Sequence, residues 1–283
     1  MMYFTDEMLD RLIKEDTPYL DLTTTLLEIG EKAGRIEFRV REDGIVACTE
    51  EAARILEKLG LVVIQCTASG TKVVKKTVIL VAEGKAEGLH LGWKVCLNIL
   101  EYCCGIATSA WQLVEKAQKV NPNISVVVTR KSFPGTKELI IKAALAGGAL
   151  PHRLGLSESI LVFKQHLVFL GGAEQLITIM PKLQQKGCEK KIIVEVDTLE
   201  DARKLALAGV DALQFDKVTP EDLSRYVKEI KMINKSITLI AAGGITIVNA
   251  DLYAATGIDA IATSAIFHGK PLDIEAKMLN LCG

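Results

Sequence analysis

Polar residues that follow short apolar runs are the first candidates for chemistry, because parallel α/β folds carry their reactive groups at the carboxyl ends of strands. Val126-Val127-Val128 is followed by Thr129-Arg130-Lys131-Ser132, and Gly147-Gly148-Ala149-Leu150-Pro151 leads into His152-Arg153. Phe163 precedes Lys164-Gln165-His166, Val194 precedes Glu195-Val196-Asp197, Phe215 precedes Asp216-Lys217, and Ala242 precedes Gly243-Gly244. This set implies recognition of a polyanion together with a metal. Arg130 and Arg153 have the planar fork that matches carboxylate or phosphate oxygens, and Lys131 adds a point charge. Glu195 and Asp216 are hard oxygen donors suited to Mg²⁺ shared with a substrate phosphate. Gly243 and Gly244 would let backbone N–H groups approach a phosphate at a helix start. Each feature alone has an ordinary reading, since strand-end arginines are commonly salt-bridged at the surface and Gly-Gly is frequent at βα turns.

Positioning these residues requires strands that alternate with helices. From about Ser125, β-branched runs recur at Ser125 to Thr129, Ser159 to Phe163, Lys191 to Val196, Ala212 to Phe215, Ile237 to Ala242 and Ala260 to Thr263. The segments between them are helical in pattern: Thr198 is a natural N-cap followed by Glu200 and Asp201, and Thr219-Pro220-Glu221-Asp222 repeats the signal. Six such units predict a parallel α/β barrel or a large part of one. The first ~90 residues read instead as an antiparallel α+β layer. Its strands are expected at Gly34 to Arg41, Leu61 to Cys66 and Lys72 to Ala82, with a helix at Thr49 to Leu59. A long helix, expected from His90 towards Lys119 and broken near Gly105, carries the domain boundary. The expected division is an N-terminal α/β sandwich over 1–105, an open α/β barrel over 106–270, and a C-terminal helix over 271–283 that returns to the first domain.

The 283 residues balance 34 basic against 35 acidic side chains, a formal net charge of -1. No basic run collects phosphates along a polymer, so a nucleic-acid binder is not expected. Mean hydropathy is +0.26, yet the longest uncharged apolar stretch, Ser236 to Ala250, contains Gly243, Gly244 and Asn249 and falls short of the ~18 to 20 residues of a spanning helix. No membrane association is expected. Asp6, Glu7 and Asp10 stand where a signal peptide would be basic, which predicts a cytoplasmic protein. Seven cysteines, Cys48, Cys66, Cys96, Cys103, Cys104, Cys188 and Cys282, include no CxxC pair and read as reduced core residues.

The segments VTRKSFPG (128–135), KAALAGGALPHRLGLSESILVFKQH (142–166), VEVDTLEDA (194–202), ALQFDKV (212–218), AAGGI (241–245) and GIDAIATSAIFHGKPLDI (257–274) resemble, in order, the motifs of quinolinate phosphoribosyltransferases. LNILEYCCGIAT (97–108) looks like that family's helix and DLTT (21–24) like its N-terminal signature. Trp93-Lys94, the ALPHR form and the VFKQH ending look most like the family's branch from molybdenum-transport operons. The resemblance implies a small α/β sandwich packed on an incomplete barrel, and a head-to-tail homodimer with shared active sites that could assemble further. It implies attack of a ring nitrogen on C1 of phosphoribosyl pyrophosphate, with Mg²⁺ and with loss of pyrophosphate. Arg130, His152 and Arg153 fall where the family binds its acidic ring, and Lys131 falls where it meets the phosphoribosyl donor. Glu195 and Asp216 fall where carboxylates face ribose hydroxyls and Mg²⁺, and Gly243, Gly244 and Ser264 where phosphate is held.

The chain departs from the family on the acceptor side. Lys94 replaces an arginine of the long helix and loses the bidentate fork. Phe163 stands where the family has a lysine for a substrate carboxylate; Lys164, one residue later, points to the opposite face of a strand. Val128 replaces an acid and Ala242 a serine. A site that loses a cation and gains a ring should prefer a less acidic, flatter or more apolar acceptor than quinolinate. Two other readings compete: a barrel lyase using Lys131, Lys164 or Lys217 as a Schiff base, and a non-catalytic protein of metal uptake that binds a nucleotide or oxyanion.

Overall fold

The computed structural model describes residues 2–281. Its strands are β1 (Ala33–Val40), β2 (Gly44–Ile45), β3 (Val62–Cys66), β4 (Lys72–Val73), β5 (Val78–Lys85), β6 (Ser125–Val128) and β7 (Leu150–Pro151). They continue with β8 (Ile160–Val162), β9 (Ile192–Val196), β10 (Ala212–Asp216), β11 (Thr238–Ala242), β12 (Ala260–Thr263) and β13 (Ile274–Asn280). The chain forms two compact units, one of residues 1–111, 133–148 and 267–283, the other of 112–132 and 149–266. No helix among the described residues is long and apolar enough to cross a membrane.

The first unit is built on an antiparallel sheet ordered β13-β1-β5-β3. Alternation along β1 turns Ile36, Phe38 and Val40 into the core and Arg35, Glu37 and Arg39 outward. The expected strand over Lys72 to Ala82 is interrupted: a turn in which the Thr77 N–H donates to the Val74 carbonyl at 3.1 Å separates β4 from β5. The long helix, Ala86–Val120, is continuous where a break was expected near Gly105. A Cβ on Gly105 would stand 2.5 Å from the Lys270 carbonyl oxygen and 2.9 Å from Pro271 Cα, so glycine there admits a crossing backbone and does not end the helix.

The C-terminal segment does return to the first unit, but as strand β13 and not as the expected helix. Its IEAKMLN sequence has helix-forming composition; the unpaired edge of β1 offers backbone partners from Gly34 to Val40, and tertiary pairing overrides local propensity. The cysteine expectation is corrected in part. Cys48, Cys96, Cys103 and Cys104 are buried, whereas Cys66, on the edge strand β3, and Cys188, in the loop before β9, are exposed. All six are free thiols, and Cys282 lies outside the described residues.

The second unit is a parallel sheet of seven strands, ordered β7-β6-β12-β11-β10-β9-β8 and curved into an open half-barrel. Its helices start as the sequence predicts, with Thr198 Oγ1 accepting from the Asp201 N–H at 3.1 Å and Thr219 Oγ1 from the Asp222 N–H at 3.2 Å. Leu161, Ile193, Ala212, Ile240, Ala242, Ala260 and Ala262 pack inside the barrel. Four of those seven are alanine where barrel interiors usually carry bulky branched residues, which leaves open volume between the strands.

Candidate active site

That volume is a cavity of about 280 Å³ at the carboxyl ends of the strands, lined entirely by the second unit. Each strand delivers its next residues to it: Thr129, Arg130 and Lys131 after β6, His152 and Arg153 after β7, and Phe163 after β8. Glu195 projects from β9, and Gln214 and Asp216 from one face of β10. Gly243 to Thr246 follow β11, and Ser264 and Ala265 follow β12.

Part of the lining is cationic and aromatic. Arg153 is buried, and its guanidinium lies 5.9 Å from the Phe163 ring centroid. Burial first, and the Arg130 charge second, lower its pKa, a repulsion that a bound carboxylate or phosphate would relieve. His152 is likewise pushed below the usual histidine value, by burial and then by Arg153. Its backbone N–H donates to the Val128 carbonyl at 3.0 Å, and its ring Nε2 is buried without a hydrogen-bond partner. Phe163 is fixed from behind by His166: the rings stack at 5.9 Å and 20°, and the Phe163 N–H donates to His166 Nδ1 at 2.9 Å.

The same lining also carries acidic groups. Gln214 Nε2 donates to Glu195 Oε2 at 2.9 Å across paired strands. Burial pushes the Glu195 carboxyl above its ordinary range, Gln214 opposes this, and the charges of Asp216 and Asp197 add to it. Among the described residues no group of three or more His, Cys, Asp and Glu is arranged to hold a metal unaided. A pair of carboxylates facing one cavity nevertheless fits Mg²⁺ shared with substrate oxygens, and a divalent charge would relieve their mutual repulsion. Next to them the chain turns sharply. Gly243 and Gly244 have φ of +85° and +74°, and a Cβ on Gly243 would lie 2.6 Å from Asp216 Oδ1 and 2.8 Å from the Lys217 nitrogen. Thr263 Oγ1 donates to the Ile245 carbonyl at 2.7 Å and accepts from the Ala265 N–H at 3.0 Å, tying this loop to β12.

Of the residues singled out in the sequence, Lys131, Arg130, His152, Arg153, Phe163, Glu195, Asp216, Gly243, Gly244 and Ser264 all line one cavity. Lys164 does not; it opens the helix Lys164–Leu170 and pairs with Asp197. Of the three lysines considered for a Schiff base, only Lys131 lines the cavity. Lys94 belongs to the first unit, exposed on the long helix with its Nζ 4.4 Å from the Trp93 ring centroid. Gln214, Thr129, Thr246 and Thr263 were given no role by the sequence. Gln214 had a signal: it is a polar residue inside an apolar strand, two positions from Asp216 and on its face.

The N-terminal domain profile of quinolinate phosphoribosyl transferase matches residues 21–104 and the C-terminal domain profile matches 106–277. The chain is 42% identical to the ModD protein of Rhodobacter capsulatus over 250 residues, 88% of this chain and 96% of that one. It is 37% identical to ModD of Pasteurella multocida over 275 residues, covering 97% and 98%. NadC from Streptococcus pyogenes has the same fold, with a TM-score of 0.89 at 22% identity over 99% of this chain and 100% of that one. The chain therefore belongs to the quinolinate phosphoribosyltransferase family, as a ModD-like phosphoribosyltransferase, or pyrophosphorylase, of the pentosyltransferase class.

Proposed function

We propose that the enzyme moves a 5-phosphoribosyl group from phosphoribosyl pyrophosphate to a ring nitrogen of an acidic heterocycle other than quinolinate. The observation that carries this reading is the lining of one cavity by two kinds of group: carboxylates with a glycine turn, and two arginines with a histidine and a phenylalanine. The ring nitrogen's lone pair forms the new bond to C1 while the bond from C1 to the pyrophosphate oxygen breaks, and pyrophosphate leaves with the bonding electrons. Positive charge develops at the sugar, so positioning and charge neutralisation are the protein's contribution. Glu195, oriented by Gln214, and Asp216 would bind ribose hydroxyls and hold Mg²⁺, which when bound neutralises the departing pyrophosphate. Backbone amides around Gly243 and Gly244, with Ser264, would hold the 5′-phosphate, and Lys131 would meet the donor.

Arg130 and Arg153 would bind the acceptor's carboxylate, and the Phe163 face would lie against its ring. The resemblance of Trp93-Lys94, the ALPHR form and the VFKQH ending to the branch from molybdenum-transport operons extends the proposal to a role alongside molybdenum transport. The direct experiment is a pyrophosphate-release screen over nitrogen heterocycles with phosphoribosyl pyrophosphate and Mg²⁺ present throughout. Quinolinate, with two carboxylates, should turn over slowly, because a buried carboxylate without a cation is disfavoured. Phe163→Lys, best combined with Lys94→Arg, should raise that turnover; efficient use of quinolinate by the unmodified enzyme would overturn the acceptor assignment.

A further inference from the structure

A second cavity, of about 400 Å³, opens at the amino ends of the same strands, with Ser125, Lys191, Thr238 and Asp259 at its mouth. Its inner wall is made by Val127, Ile193, Ala212, Ile240 and Ala260, which belong to the apolar layer inside the barrel. The active-site cavity rests on the other side of that layer, against Leu161, Ala242 and Ala262. Among the described residues, His152 is the one that lines both cavities. Both volumes are far above the ~30 Å³ that a water molecule occupies in the liquid, and the polar mouth makes the lower one a place for water. Four alanines in the layer leave the separation dependent on a few larger side chains.

We infer that the imidazole of His152 stops the bore of the barrel and keeps the water of the lower cavity away from the reacting sugar carbon, a role distinct from binding the acceptor. The inference rests on the phosphoribosyl-transfer reading. A water molecule reaching C1 would form a C1–O bond as the bond to pyrophosphate breaks, giving ribose 5-phosphate and pyrophosphate and releasing one proton to solvent. Exclusion of water is what makes the ring nitrogen the nucleophile. The ring's buried, unpartnered Nε2 fits a group held at this level by shape, with its backbone N–H anchored on the Val128 carbonyl.

The test measures pyrophosphate release from phosphoribosyl pyrophosphate and Mg²⁺ with no acceptor added. His152→Ala should release it faster than wild type, on the order of ten-fold, because water then competes at a centre otherwise reserved by positioning. His152→Leu, which restores volume without a ring nitrogen, should release it more slowly than His152→Ala. Ala212→Leu, filling the lower cavity, should lower the rate in the His152→Ala background. An unchanged rate in His152→Ala, or an equal rise in His152→Leu, overturns the inference; thermal unfolding of each variant identifies one that has failed to fold. A crystal structure of His152→Ala decides the point without any turnover: ordered water running from Asp259 to Arg153 supports the plug, and a collapsed bore overturns it. Calorimetry with phosphoribosyl pyrophosphate tests the underlying reading separately, since a wild-type enzyme that binds no donor ends that reading and leaves the plug to the crystal structure.

Discussion

At the scale of single residues, the acidic groups of the cavity show how burial and charge make a site. Glu195 is half-buried, accepts a hydrogen bond from a buried glutamine and faces another carboxylate, an arrangement that raises its pKa and costs stability in the absence of a counter-charge. If Glu195 and Asp216 manage ribose and Mg²⁺, then Glu195→Gln and Asp216→Asn should each remove at least one charge-assisted contact, worth about 1.5 to 3 kcal/mol. Donor affinity should fall by roughly ten-fold or more, readable by calorimetry. Wild-type affinity in both variants would remove the metal-carboxylate assignment. Both acids stood out in the sequence because parallel α/β folds carry their reactive groups at the carboxyl ends of strands. Gln214 carried only the signal of a polar residue in an apolar strand, and its part depends on register: β9 and β10 pair it with Glu195, and no local pattern fixes a cross-strand partner. Lys164 shows the reverse failure, a conspicuous strand-end cation that opens a helix and is held by Asp197 outside the cavity.

At the scale of elements, the turn from β11 into the following loop carries conformational demands that can be separated. Gly243 needs both a left-handed backbone and an empty Cβ position, because Asp216 Oδ1 and the Lys217 nitrogen already fill that space. Gly244 needs the backbone alone, with nothing within 4 Å of a Cβ. Gly244→Ala should therefore cost about 1 kcal/mol. Gly243→Ala should cost more, about 2 to 4 kcal/mol, and should also weaken donor binding by displacing Asp216. Chemical denaturation gives the stability difference and calorimetry the binding difference. Equal stability losses with unaffected donor binding would show that the turn relaxes and that its packing on Asp216 is not required. Strands β6 and β8 to β12 were legible from their β-branched runs and the N-caps between them, where local signals and global fold agree. The two-residue strands β2 and β7 were too short to show any periodicity. Gly105 misled for a tertiary reason: a glycine that makes room for another segment and one that breaks a helix look the same in sequence.

At the scale of the whole molecule, the question is how the exposed Lys94 could take part in chemistry seated among the strand ends of the second unit. The family resemblance implies an answer: in a head-to-tail dimer this helix's cation serves the neighbouring protomer's site. Exposed apolar side chains such as Tyr19, Leu26, Leu156 and Phe169 are consistent with surface that a second subunit covers. If sites are shared, two variants damaged in different units should complement each other. When Lys94→Ala and Arg130→Ala subunits are dissociated, mixed and reassociated at random, half of the dimers are mixed and each mixed dimer holds one intact site. Up to about a quarter of the wild-type activity should then return. The measurement needs each variant to be inactive alone and subunit exchange to be demonstrated, for example by native mass spectrometry of differently tagged chains. Exchange without recovery would place the action of Lys94 within its own chain or outside catalysis altogether, and a monomer by light scattering would end the shared-site proposal before any mixing is done.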